Sequence, residues 1–216
     1  MSELPLLLGH RGARSCASVP ENSFASFDLA LEHGCDGFEF DVRLTACGRA
    51  LICHDPKVEG VVVSQATCKQ LVNFSCLEEV LQRYQDHAFL DVELKVAGLE
   101  SKVLLALRQF APQRGYVISS FLPEVLTELR TRSAVVPLGI ICDRRDQLAQ
   151  WRELPVDYVI CHHRLIREVL VEEVREAGKK LFAWTVNDKR SMLRLAEWGV
   201  DAIISDKTEL LAQTLK

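Results

Sequence analysis

Short apolar runs alternate with amphipathic stretches from one end of this chain to the other, without a linker or low-complexity segment between them. Leu6–Leu8, Gly37–Val42, Ala88–Leu94, Tyr116–Ser119, Val135–Cys142, Asp157–Cys161, Lys180–Val186 and Asp201–Ile204 read as strands. Between them lie helical patterns: Phe24, Phe27, Ala30 and Leu31 on one face, a stretch ending near Tyr84, then Glu100–Phe110 and Pro123–Arg130. Further helices are expected around Gln147–Trp151 and over Arg167–Ala177, Lys189–Trp198 and Lys207–Leu215. Apolar strands separated by helices imply a parallel sheet with helical crossovers. Leaving aside an extra returning strand over Ala50–Cys53, the series makes eight strand–helix units in 216 residues. That count fits one compact (β/α)₈ TIM barrel over 1–216, with a short, reduced insertion after strand two. A doubly wound open sheet is the alternative, weakened by the lack of a Gly-x-Gly-x-x-Gly after the first strand.

With 48% hydrophobic residues the chain can bury a full core. Its 26 basic against 30 acidic residues give a formal net charge of -4. No Lys/Arg run could track a nucleic-acid backbone, so no nucleic-acid partner is expected. The eight cysteines show neither a CxxC pair nor zinc-ligand spacing, and read as a reduced, intracellular set. The stretch Met1–Leu8 lacks a basic flank and is too short for a signal core or a membrane span. A cytoplasmic protein without membrane insertion is expected; oligomeric state is not legible.

Reactive groups in such a barrel stand at the carboxyl ends of the strands. After the first strand comes Gly9-His10-Arg11-Gly12, a titratable base and a fixed cation. In Phe38-Glu39-Phe40-Asp41-Val42 the period of two puts both carboxylates on one face. If the phenyl rings face the helices, the carboxylates point into the barrel, where they repel one another and call for a cation. Asp91-Val92-Glu93-Leu94-Lys95 repeats the pattern and adds an ammonium. Oxygen-only ligands suit Mg²⁺ or Ca²⁺. The returning strand ends in Cys53-His54-Asp55-Pro56, so His54 can face His10 across a pocket. Two histidines beside a bound phosphate suit phosphodiester cleavage, one taking a proton and the other giving one.

Together these elements resemble the glycerophosphodiester phosphodiesterase family. Its motifs are matched in order by Gly9-His10-Arg11-Gly12, Pro20-Glu21-Asn22-Ser23, Glu39-Phe40-Asp41-Val42, His54-Asp55 and Glu93-Leu94-Lys95. Trp184-Thr185-Val186-Asn187 and Gly199–Asp206 complete the match. The resemblance implies hydrolysis of glycerophosphodiesters to glycerol 3-phosphate and an alcohol. It implies metal binding by Glu39, Asp41 and Glu93, with Mg²⁺ or Ca²⁺ as cofactor, and acid–base catalysis by His10 and His54. Arg11 and Lys95 would hold the phosphate, Trp184 would pack on substrate, and Glu21 and Asn22 would support the site. Two departures stand out: the excursion between His54 and the third strand is short, and position 91 is Asp where a neutral amide is common. Two rival functions remain at this stage. One is a lysophospholipase D-type phosphodiesterase, with Val61-Val62-Val63 as an apolar rim. The other is a catalytically idle phosphate-binding barrel.

Overall fold

The structure is a computed structural model describing residues 4–216; the first three residues of the N-terminal stretch weighed above lie outside it. Eight parallel strands close on themselves: β1 (Leu6–His10), β2 (Gly37–Leu44), β6 (Phe89–Leu94), β7 (Tyr116–Ser120), β8 (Leu138–Cys142), β9 (Tyr158–His162), β10 (Lys180–Trp184) and β11 (Ala202–Ser205). Closure is made by β1, which pairs with β11 on one side and β2 on the other. The expected returning strand is β3 (Ala50–Ile52), antiparallel to β2 and outside the barrel. A small hairpin of β4 (Lys57–Val58) and β5 (Val61–Val62), absent from the sequence reading, follows it.

Eight helices form the outer layer: α1 (Phe24–Glu32), α2 (Leu77–Tyr84), α3 (Glu100–Gln109), α4 (Pro123–Arg132), α5 (Arg145–Leu148), α6 (Glu168–Glu176), α7 (Lys189–Trp198) and α8 (Thr208–Leu215). This is the expected (β/α)₈ barrel. Several elements are shorter than the sequence suggests; the strand expected over Lys180–Val186 ends at Trp184. The strand expected from Val135 begins at Leu138, because Pro137 has no N–H to donate and Val135 is 89% exposed. The helix after β8 is a single turn, with Trp151 buried just beyond it.

Alternation along the strands sorts side chains into two cores. Outward residues pack under the helices; Phe27 of α1 stacks on Phe38 of β2 at 4.2 Å between ring centroids, and Tyr84 of α2 meets Phe38 edge-on at 4.9 Å. Such pairs add about 1 kcal/mol beyond the area they bury. Inward residues such as Leu8, Phe89, Ile160, Phe182 and Ile204 fill the barrel. Gly37 faces this interior, where a Cβ would collide with the Phe89 carbonyl. The apolar filling stops short of the carboxyl ends of β1, β2 and β6, and polar residues take over there.

The cysteine reading needs one correction: Cys47 and Cys68 form a disulfide, their Cα atoms 5.8 Å apart. Their separation of 21 residues hides the pair from a search for short motifs. The turn between β2 and β3 and the segment after β5 fold back to one place and bring them together. Both cysteines are exposed, while Cys35, Cys53, Cys142 and Cys161 are free and buried. Among the described residues no helix is long and apolar enough to cross a membrane.

Candidate active site

Backbone geometry first sets the mouth. Arg11, just beyond β1, has φ of 53° and Gly12 has φ of 79°. Left-handed backbone is costly for an arginine, and such strain persists where the surroundings hold it. Here the Arg11 N–H donates to Glu39 Oε2 at 3.0 Å and its carbonyl accepts from Ser26 Oγ at 2.9 Å. A Cβ at Gly12 would strike Ser26, so the turn needs glycine. The guanidinium is thereby aimed across the barrel end: Arg11 Nη1 donates to Glu21 Oε1 at 2.8 Å, and Nε lies 3.2 Å from Asp41 Oδ2.

Period-two alternation turns Glu39, Asp41, Asp91 and Glu93 inward, and all four are buried. Register sets Glu39 beside Asp91 and Asp41 beside Glu93. One oxygen each from Glu39, Asp41 and Glu93 lies within 4.8 Å of the others. Glu39 Oε1, Asp41 Oδ1 and Glu93 Oε1 are buried without a hydrogen-bond partner. Lys95 Nζ stands 2.6 Å from Glu93 Oε1 and 3.4 Å from Asp41 Oδ1. These contacts offset charge on Glu93 and Asp41 but leave Glu39 Oε1 with no cation or donor against it. Buried oxygens left open and gathered at one point are what an oxygen-liganded divalent cation requires, so the residues fit the implied metal.

The electrostatics carry the same message. Burial pushes Glu39 well above the usual carboxylate range, and the charges of Asp41, Glu93 and Asp91 push it further. Glu93 is raised to about 7, by burial and then by Asp41, against the opposing pull of Lys95. Burial also lifts Asp91 to about 7, although the Ser119 hydroxyl favours its charged form. Asp41 differs: burial is outweighed by Lys95, Arg11 and the Asn22 amide, which hold it below the usual range. Asn22 clasps Asp41 from both sides, donating Nδ2 to Oδ2 at 2.8 Å and accepting the Asp41 N–H at 3.2 Å. Without a cation, protons gather on Glu39, Asp91 and Glu93, where burial and neighbouring carboxylates outweigh the cations.

His10, at the end of β1, is buried, and its Nδ1 lies 2.7 Å from Asp206 Oδ1. Burial disfavours charge on Asp206, but His10, Asn187 and Arg14 outweigh it and hold that carboxylate well below the usual range. An ionised carboxylate only accepts, so Nδ1 is the donor, and in the neutral tautomer this selects the lone pair is on Nε2. Asn187 Nδ2 donates to Asp206 Oδ2 at 2.6 Å, and Arg14 bridges Asp206 and Glu21. His54 follows β3; its Nδ1 lies 2.8 Å from Asp55 Oδ1, and its carbonyl accepts from Arg43 Nε at 2.6 Å.

A cavity of about 110 Å³ brings these groups together. His10, Arg11, Glu39, His54, Asp91, Glu93 and Lys95 form its polar part, and Phe121, Ile141, Ile160, Trp184 and Ile204 its apolar wall. Trp184 donates Nε1–H to the Ile160 carbonyl at 3.1 Å and meets Phe121 edge-on at 5.7 Å. Asp41 lies beneath the lining, while Glu21 and Asn22 border a neighbouring groove that His54 shares. His162, left without a role by the sequence reading, packs its ring against Trp184 at 5.6 Å. The sequence reading also gave Asp206, Asn187 and Ser119 no role. The parity of β11 held a signal for Asp206, since Ala202, Ile204 and position 206 share the inward face.

A closed (β/α)₈ barrel with carboxylates, two cations and two histidines at its carboxyl mouth is a TIM-barrel site built to receive an anionic group. Sequence comparison makes the assignment specific: the chain belongs to the glycerophosphoryl diester phosphodiesterase family, whose profile matches residues 10–210. A glycerophosphodiester phosphodiesterase of Caldanaerobacter subterraneus subsp. tengcongensis is 29% identical over 98% of this chain and 98% of its own length. The fold is shared with an Oleispira antarctica phosphodiesterase solved in complex with the product sn-glycerol-3-phosphate, at 24% identity and a TM-score of 0.84 over 98% of this chain and 96% of that one. It is shared too with a Thermotoga maritima glycerophosphodiester phosphodiesterase, at 24% identity and a TM-score of 0.82 over 99% of both chains.

Proposed function

We propose that this phosphodiesterase hydrolyses glycerophosphodiesters to glycerol 3-phosphate and an alcohol, with His10 as general base and His54 as general acid. The observation that carries this reading is the single cavity in which both histidines meet Arg11, Lys95 and the buried carboxylates. The open lone pair of His10 Nε2 suits proton abstraction from a nucleophilic hydroxyl of the substrate glycerol or from water. His54 borders both the cavity and the neighbouring groove, where a departing alkoxide would leave and take its proton. Arg11 and Lys95 hold the phosphate, and Trp184 packs on aliphatic carbon beside it. Glu21 and Asn22 act at one remove, through Arg11 and Asp41.

Glu39, Asp41 and Glu93 would hold a divalent cation, Mg²⁺ or Ca²⁺. When bound, that cation neutralises charge on the phosphate oxygens and orients them. Residues 1–216 act as one barrel domain in this reading. The substrate is a small molecule, and neither a nucleic acid nor a membrane is needed for the chemistry. Of the apolar rim expected for the lysophospholipid alternative, Val62 is exposed, Val61 half-buried and Val63 buried.

Cytoplasmic placement rests on the six free cysteines, against the exposed Cys47–Cys68 bond that a reducing cytosol would open. Alkylation and mass spectrometry of freshly isolated protein decide between them. The functional test is release of glycerol 3-phosphate from glycerophosphocholine and glycerophosphoethanolamine, in EDTA and with Mg²⁺ or Ca²⁺ restored. Release that needs metal and disappears in His10→Ala and Glu39→Ala supports the reading. Release untouched by EDTA removes the metal, and turnover of lysolipids alone shifts the substrate to lipids.

A further inference from the structure

Asp91 is a buried acceptor that the chemistry above does not use. It is 1% exposed, lines the cavity, and accepts from Ser119 Oγ at 2.5 Å through Oδ1. Its Oδ2 is buried with no partner. Asp91 is not among the three carboxylates whose oxygens cluster within 4.8 Å. It lies one inward step deeper on β6 than Glu93, in a cavity whose other wall is Ile141, Ile160 and Ile204. The unpaired Oδ2 belongs to a buried carboxyl in a cavity that also has an aliphatic lining, and a ligand hydroxyl would satisfy it. A ligand suited to this end presents C–H groups to the wall and one O–H to Asp91.

We propose that Asp91, held by Ser119, accepts the terminal hydroxyl of the substrate glycerol and makes this end of the cavity the subsite that recognises it. The assignment rests on the glycerophosphodiester reading and adds an orientation to it. The phosphate sits by Arg11 and Lys95, the glycerol carbons run down the isoleucine wall, and the departing alcohol lies on the His54 side. The hydroxyl next to the phosphate-bearing carbon stays near His10, so recognition and attack use different oxygens. A site built to bond a hydroxyl discriminates strongly against an analogue without it, since the acceptor is then buried unpaired.

The test compares binding of glycerol 3-phosphate with that of propane-1,2-diol 1-phosphate, which lacks only the terminal hydroxyl. Both are titrated calorimetrically into the Ca²⁺-loaded protein. The expected preference for glycerol 3-phosphate is about 10²-fold in the parent chain. It falls close to unity in Asp91→Ala and part of the way in Ser119→Ala, which keeps the carboxylate but frees its orientation. No preference in the parent, or an undiminished one in Asp91→Ala, overturns the proposal. Equal weakening of both ligands together with loss of Ca²⁺ affinity overturns it too, by making Asp91 a metal ligand. Should Asp91→Ala not fold, an unchanged preference in Ser119→Ala overturns it instead. Neither ligand needs turnover, so a chain that cleaves no glycerophosphodiester still answers this question separately.

Discussion

The two histidines reach one cavity from regions of opposite character. His10 grows from a barrel strand, is 9% exposed, and leans on Asp206, which Asn187 and Arg14 fix in turn. His54 follows a strand outside the barrel, and its partner Asp55 has a side chain 71% exposed. One imidazole is thus set by a partly buried network and the other by a solvated pair worth little energy. A base that must meet one oxygen in one geometry profits from the first arrangement. An acid that must serve alcohols of different size tolerates the second.

The sharpest way to break this contrast is to change the leaving group. His10→Ala and His54→Ala should each lower kcat/KM on glycerophosphocholine by roughly 10³-fold, within the range of general acid–base contributions. With glycerol 3-phosphate esterified to 4-nitrophenol, the leaving oxygen needs no proton. His54→Ala should then recover most of its loss and His10→Ala none. Recovery in His10→Ala instead would reverse the roles of base and acid.

Next in size comes the pair of supporting carboxylates. Asp206→Asn lets the amide favour the wrong imidazole tautomer, so kcat should fall roughly 10²- to 10³-fold with KM little changed. Asp55→Asn should cost no more than about fivefold. Equal losses at the two positions would mean that burial does not distinguish the histidines.

Much of the His10 side could be read from the sequence, because period-two alternation in Glu39-Phe40-Asp41 and in Asp91-Val92-Glu93 obeys barrel geometry directly. The same parity carries Asp206 inward, but one aspartate at a strand end has no pattern of its own, and its link to His10 spans 196 residues. The His54 side was harder to read. The β4–β5 hairpin is two residues per strand, too short for any period, and Cys47 finds Cys68 only through the path of the chain between them. Family resemblance supplied the roles of Glu39, Asp41 and Glu93, whereas the unpaired oxygens on them are visible only in three dimensions.

A smaller effect tests the buried side without substrate. In the metal-stripped chain Asp91 and Glu93, both near 7, and Glu39, raised as well, keep protons that unfolded carboxyls release near pH ~4. Between about pH 4 and 7 the native state therefore binds more protons than the unfolded state, and stability falls as pH rises through that window. Asp41 and Asp206, both depressed, are ionised in either state above pH ~5 and add little slope there. Thermal melts in EDTA should give a lower Tm at pH 7.5 than at pH 5, and added Mg²⁺ or Ca²⁺ should raise the pH 7.5 value more. A Tm that climbs over the same range would show Lys95 and Arg11 keeping these groups ionised without metal.

The smallest effect belongs to the disulfide, on the His54 side. Cross-linking residues 21 apart stabilises by about 3 kcal/mol in the chain-entropy picture, so Cys47→Ser with Cys68→Ser should lower Tm by several degrees. The bond ties the turn after β2 to the segment whose Val63, Ala66 and Leu71 pack beneath Leu51 and Cys53, one residue before His54. Reduction should therefore loosen His54, the proposed acid, and leave His10, Asp206 and the carboxylates in place. On glycerophosphocholine the double variant should lose less than about twofold in kcat/KM, a change worth under ~0.5 kcal/mol. The 4-nitrophenyl ester, which needs no acid, should show no loss. A loss shared equally by the two substrates would mean that the excursion supports the whole cavity, and the separation between a rigid base and a compliant acid would fail.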